Sequence, residues 1–390
     1  MSQRQLLTGF RCTATVLCAV IVAHAVPAQN NAPVKQLRAV RELSINPDDP
    51  NWAVISPADL AVDARGLLYV LDYTDQIIRV FDSGGVPVRR IARKGNGPGE
   101  LSTASALFVV RDSLWAIEMA SSRVTRFPLS GGAGRTSVIR PKTTQQGTTF
   151  AIASSGFLAT TQDTSRPDWA SMFVRVDAAG MVLNTVLPAT PRIKTFMVFN
   201  IVPEGLRDRS TYGRQHASQP LVSAPIVSFD PNGNGVVRGA SSAAPFAGEY
   251  SLTAIGIAGD TTWRRVFRYS PIPVTDAQIR EIIENLAAPT VSDGIRIVGD
   301  RKMIRDSLVL AKSWPAFTAL TIGLDGSVFL KQGGPTTPLQ TYWRFSPAGV
   351  ANGRFEMPAT FRLFRATTGK VWGVSRDKDG NALIERYRLQ

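Results

Sequence analysis

One hairpin signal recurs along this chain, and it restricts the possible folds more than any other feature. Its clearest copy is residues 57–91, PADLAVDARGLLYVLDYTDQIIRVFDSGGVPVRRI. The segment reads as four short strands, 58–62, 67–71, 77–81 and 86–91, separated by DARG, DYTDQ and DSGG. Gly66 and Gly85 fall where a tight turn needs a residue that tolerates positive φ. Val, Ile, Leu, Tyr and Phe fill the strands between, as half-buried pleated surfaces favour. A lone four-stranded meander cannot bury both of its faces, so a unit of this kind has to be repeated or covered.

It is repeated. Asp63-Ala-Arg-Gly66 matches Ala153-Ser-Ser-Gly156, Asp230-Pro-Asn-Gly233, Leu324-Asp-Gly326 and Ala366-Thr-Thr-Gly369, and Asp112 takes the turn position of the second unit. Asp is one of the few residues besides Gly at ease in the left-handed region. The turn positions 66, 112, 156, 233, 326 and 369 are spaced by 46, 44, 77, 93 and 43 residues. A period near 44, lengthened twice by inserts, belongs to four-stranded propeller blades. Six units result. The last offers strands 361–365, 370–374 and 383–388 and is one strand short, while residues 37–45, LRAVRELSI, are a spare strand ahead of unit one. Pairing the two closes the ring and covers an open sheet edge. The expected fold is therefore all-β: a six-bladed β-propeller of four-stranded antiparallel blades, closed by an N-terminal strand, with residues 29–390 as one domain.

Unit one also resembles an NHL repeat, whose pattern runs P-x-x-[LIV]-A-V-D-x-x-G-x-[LI]-Y-V-x-D, then an I-x-V-F strand and a Gly turn. The following KGNGPGEL (94–101) is similar to the Gly-rich link before the next NHL blade. The wider likeness is to secreted six-bladed propellers of the TolB-like superfamily. Units one and two carry it; the other four match in hairpin and strand pattern. The resemblance implies a central channel and a binding role, and it brings no catalytic residue with it.

The N-terminus reads as a leader. Arg4 and Arg11 flank an apolar run, 13–23, followed by Ala23-His24-Ala25 and Val26-Pro27-Ala28. This is the pattern of a secretory signal peptide, residues 1–28, cut after Ala28 with Ala25 the second choice. The run is shorter than the ~20 residues a bilayer crossing takes, and no other segment qualifies. The expected product is exported to the periplasm or beyond, monomeric, with no transmembrane segment after cleavage. Cys12 and Cys18 both leave with the leader, so the mature chain must be held by its core alone. Of the 44 basic residues 35 are Arg, and the formal charge after cleavage is +12. An anionic envelope polymer or glycan is one partner such a charge suits; a solvated surface with no Lys/Arg run beyond two residues is the plainer reading. Export argues against nucleic acid.

Topology assigns the two faces of the ring. Loops joining first to second and third to fourth strands share one face, and those here are short: DARG, DPNG, DSGG, DAAG and 346–349. Loops joining second to third strands, and one blade to the next, share the other. That set includes 161–170, 240–249 and 332–340, with the two inserts 188–224 and 269–313. Long loops gathered on one side of a rigid scaffold make it the expected binding face. The second insert holds one clear helix, 275–287, opened by the capping box Thr275-Asp-Ala-Gln278 and ended by Pro289. Its stripe of Ile279, Ile282, Ile283 and Leu286 is expected to lie against the protein's own body.

Few residues point to chemistry. KGNGPGEL lacks the Gly-Lys-Ser/Thr ending of a phosphate loop and opens no helix, so it reads as a blade connector. Only His216 remains once His24 has gone, which excludes a three-His zinc site. Asp72 and Glu118 occupy equivalent positions at the ends of second strands and could face a divalent cation, although turn caps explain them as well. Tyr69, Trp115, Phe329 and Trp372 recur in second strands and are expected to pack between blades. Trp52, Trp169, Tyr212 and Trp314 fall in segments of the loop-rich face, and with Arg207, Arg209, Arg214 and His216 they are the candidate binding residues for an anionic or glycan ligand. The leading functional expectation is a non-enzymatic binding or scaffolding propeller with a protein or envelope-polymer partner and no cofactor. The alternative is a metal-dependent lactonase or lyase with a divalent ion in the channel.

Overall fold

The computed structural model describes residues 34–45, 49, 51–143, 147–163, 170–189, 196–203, 214–241, 248–292, 295–335 and 337–390. Its strands form seven four-stranded antiparallel sheets. Five are meanders in chain order, sheets one to five, over residues 57–91, 106–138, 148–187, 226–268 and 317–358. Sheet six is made of Arg362–Thr367, Lys370–Arg376 and Ala382–Leu389, with Ala39–Ile45 added as its outermost strand. Ala39 stands opposite Leu389 and Ile45 opposite Ile384, so the spare N-terminal strand enters the last sheet as its sequence predicts.

That closing strand is held from three sides. Leu37 and Ile45 are each 5% exposed. Arg41 pairs with Glu385 at 3.2 Å, and Glu42 meets Arg386 at 3.2 Å and Arg388 at 3.3 Å. Ahead of the strand, Leu37 N–H donates to the Arg354 carbonyl of sheet five at 2.7 Å. Beyond it, Leu43 and Ile45 press on the last turn of sheet one at Gly85, where φ is +86° and a Cβ would come within 2.9 Å of Leu43. The N-terminal segment thus straps sheets five, six and one.

The apolar clusters follow the same circuit. One packs sheet one on two, one joins two, three and four, and others join four to five, five to six and six to one. The recurrent aromatics sit in these seams: Tyr69, Phe329 and Trp372 are buried, and Trp115 meets Phe157 of sheet three edge-on at 6.0 Å. Gly349 shows how closely neighbouring sheets approach. It holds φ +74°, and a Cβ there would lie 2.6 Å from the ring of Trp263 in sheet four. Trp263 Nε1 donates to the Pro347 carbonyl of the same turn at 2.8 Å. Gly349→Ala is expected to cost about 2 kcal/mol or more in urea unfolding. Gly369→Ala, where a Cβ would meet nothing within 4 Å, is the control expected to change little.

Two details depart from the sequence expectation. The hairpin repeat predicts six sheets and the described residues form seven, because the two inserts carry strands of their own. Phe196–Pro203 and Arg214–Ser218 from the first insert join Ile295–Gly299 and Thr290–Ser292 from the second. The junction is antiparallel, with Ile201 opposite Gly299. Two helices of the second insert pack on it: α1 (Asp276–Ala287) and α2 (Arg301–Ser307). Both halves of the expected capping box are made, Gln278 N–H to Thr275 Oγ1 at 3.3 Å and Thr275 N–H to Gln278 Oε1 at 3.1 Å. The α1 stripe lies against its own module, with Ile283 and Ala287 buried among Met197, Phe199, Ile304 and Leu308. The second departure is in the turn of sheet two, where Arg111, not Asp112, takes the left-handed conformation, at φ +56°. Val110 and Ser113 are paired, which leaves a two-residue turn whose first residue needs positive φ. Asp112 instead accepts from Ser113 Oγ at 2.8 Å and Arg126 at 3.2 Å.

Candidate functional site

Innermost strands of five sheets line a central channel of about 290 Å³. Apolar residues dominate these strands because they face the neighbouring sheets. A charged residue among them therefore needs a partner, and Asp59 and Arg365 supply each other's. Arg365 donates to Asp59 Oδ2 at 3.0 Å and to the Leu107 carbonyl at 2.8 Å. Leu107 N–H donates to the same Asp59 oxygen at 2.8 Å, and Leu60 N–H donates to Oδ1 at 2.8 Å. One acid and one arginine thereby tie together sheets one, two and six on the channel wall. Arg362 lines the same channel and rests on the Phe364 ring at 4.5 Å.

Asp72 and Glu118 are both fully buried, and they do the same job in adjacent sheets. Asp72 accepts from the backbone N–H groups of Ile55 at 2.6 Å and Thr74 at 2.9 Å, and lies 3.5 Å from Arg79. Glu118 accepts from Ser102 N–H at 3.2 Å and Ser102 Oγ at 2.7 Å, and lies 3.6 Å from Arg123. Each acid, at the end of a second strand, pins the chain that leads into the first strand of its own sheet. In sheet three a hydroxyl pair, Thr143 and Thr161 at 3.0 Å, spans the corresponding gap. With both oxygens of each carboxylate engaged by protein donors, this pair does not fit the donor set of a resident cation. Among the described residues no three His, Cys, Asp or Glu side chains converge as metal ligands.

The other candidates do not form one site. Trp52 is half-buried in the seam between sheets six and one, edge-on to Phe81 at 6.0 Å. His216 is exposed on the insert sheet, opposite Val198. Trp314 donates to Gln278 Oε1 at 3.4 Å and so braces the start of α1. Arg214 begins the strand that carries His216. Trp169, Arg207, Arg209 and Tyr212 lie outside the described residues. Sequence reasoning passed over Asp59 and Arg365; for Asp59 the available signal was a charge inside an otherwise apolar first strand, while Arg365 shares its strand with Arg362 and stands out less.

No protein family and no curated protein matches the sequence. Among solved structures, a member of the DUF4221 family from Bacteroides vulgatus ATCC 8482 is similar at 11% identity, over 91% of this chain and 99% of that chain, with a TM-score of 0.50. The calcium-binding protein regucalcin from Agrobacterium tumefaciens C58 is similar at 10% identity over 86% and 92%, TM-score 0.37. Virginiamycin B lyase from Staphylococcus aureus, in a catalytically inactive form with quinupristin, is similar at 11% over 88% and 98%, TM-score 0.34. The fold is a β-propeller. Among the described residues no helix is long and apolar enough to cross a membrane.

Proposed function

We propose that this propeller is an exported binding module with six blades, presenting its loop-rich face to a protein or an anionic envelope polymer. Six blades are favoured because the apolar seams run from sheet one round to sheet six and back to sheet one. The insert sheet has a cluster of its own. The observation that carries the binding reading is the union of the two inserts. They leave the same face on either side of sheet four and join into one sheet backed by two helices. Loops that only connect blades have no need of a shared core; a platform does.

The test is co-sedimentation of the mature protein with isolated envelope material. Deleting α1 would remove Ile283 and Ala287 from the module's core, so the better probe is the double variant Arg280→Glu with Glu281→Lys, both on its exposed side. Binding should fall about tenfold with the melting temperature unchanged. Sedimentation that ignores the substitutions, or no sedimentation at all, counts against the platform.

The channel-metal alternative has its own measurement. Asp72→Ala should destabilise by about 3 kcal/mol, because the Ile55 and Thr74 N–H groups lose their acceptor and buried Arg79 keeps Asp75 alone. The melting temperature of the unsubstituted protein should not respond to millimolar Ca²⁺, Mg²⁺ or Zn²⁺. A rise of several degrees that Asp72→Asn or Glu118→Gln abolishes would turn the assignment to an enzyme.

A further inference from the structure

Sheets four and five do not close on each other over their full depth. Between the outer strands of sheet four and the facing strands of sheet five lies a crevice of about 940 Å³. Its walls are aromatic, with Tyr250 and Tyr269 on one side and Trp343 on the other, above the buried rings of Phe267 and Phe345. Tyr250 stacks on Phe267 at 5.2 Å and leans on Tyr269 at 6.0 Å, while Phe267 meets Phe345 edge-on at 5.0 Å. Burial raises the pKa of both tyrosine hydroxyls above the ordinary value, and neither has a hydrogen-bond partner among the described residues. Neither oxygen is closed off from solvent, so both hydroxyls open to the crevice.

The charges at the crevice are unequal. Arg268 is answered by Glu249 at 3.2 Å. Arg354 lies over the Trp343 ring at 5.9 Å and donates to Gln36 Oε1 at 3.2 Å, and among the described residues no carboxylate pairs with it. Trp343 Nε1 in turn donates to Gln332 Oε1 at 2.9 Å, which fixes the indole face beneath the guanidinium.

We propose that this crevice binds an acidic sugar residue of an anionic glycan. The proposal rests on the binding reading above and names its ligand class. Aromatic faces suit the C–H face of a pyranose ring, and the two free tyrosine hydroxyls suit its polar edge. The exposed guanidinium of Arg354 suits a carboxylate. A neutral sugar leaves the Arg354 charge unanswered, and a purely apolar ligand leaves the tyrosine hydroxyls unpaired.

The test uses three probes on the mature protein: trigalacturonate, maltotriose and phenylacetate, titrated by calorimetry and tryptophan fluorescence. Trigalacturonate should bind saturably, maltotriose at least about tenfold more weakly, and Arg354→Gln should lose about tenfold for the acid alone. Tyr250→Phe should weaken it severalfold. Arg354 is on the surface, so an unchanged melting temperature separates lost binding from lost fold. The proposal is overturned if trigalacturonate shows no saturable binding at millimolar concentration. Equal affinity for maltotriose or phenylacetate, or indifference to Arg354→Gln, overturns it too. If the crevice fails these tests while envelope sedimentation still depends on Arg280 and Glu281, the glycan assignment falls and the binding reading stands.

Discussion

A chain lacking residues 1–45 should show no cooperative unfolding transition, and the free peptide 34–45 should restore one. Leu37 and Ile45 are almost fully buried, and each contributes about 1.5–3 kcal/mol by burial. The strand also pairs with Ala382–Leu389 along its length, at about 1 kcal/mol net for each hydrogen bond. The sum approaches the whole stability of a typical domain, about 5–15 kcal/mol. Ile45→Ala is the milder form of the experiment and should cost about 2–5 kcal/mol. Circular dichroism in urea reads both. A truncated chain that melts as sharply as the intact one would show that sheet six needs no fourth strand.

The second large effect is expected on the channel wall. Asp59→Ala and Arg365→Ala should each destabilise by about 3–5 kcal/mol, since either leaves a charge largely buried without its partner. The side chains are 11% and 14% exposed, so water can compensate little. Substituting both should cost clearly less than the two single losses added together, because the residues act as one unit. Urea unfolding of the four proteins completes the cycle. Additive losses would mean that Asp59 acts through Leu107 and Leu60 alone.

Much of the ring was legible because its information is local. A tight turn between two β-branched runs specifies a hairpin within about ten residues, and such turns recur at a period near 44 that two inserts lengthen. Asp72 and Glu118 could be picked out by their equivalent positions. Their role in pinning the entry to each sheet was visible only once Ile55 and Ser102 lay beside them. The insert sheet was hidden for the opposite reason: Ile201 meets Gly299 across all of sheet four, with no turn between them. Helix α2, at seven residues, is too short to declare a periodicity. Arg354, Trp343 and Tyr250 come from different strands of two units, and only the packing of sheet against sheet makes them neighbours.

The strap has a temporal side. Arg41 and Glu385 are separated by 344 positions, so a ribosome delivers one edge of sheet six first and its mate last. Contacts so distant in sequence form slowly, and until they form both edges stay bare and open to wrong pairing. For the exported protein proposed above the delay would be useful: it keeps the chain loose enough to be threaded through a translocase. Arrival of the final strand then decides when the molecule becomes native.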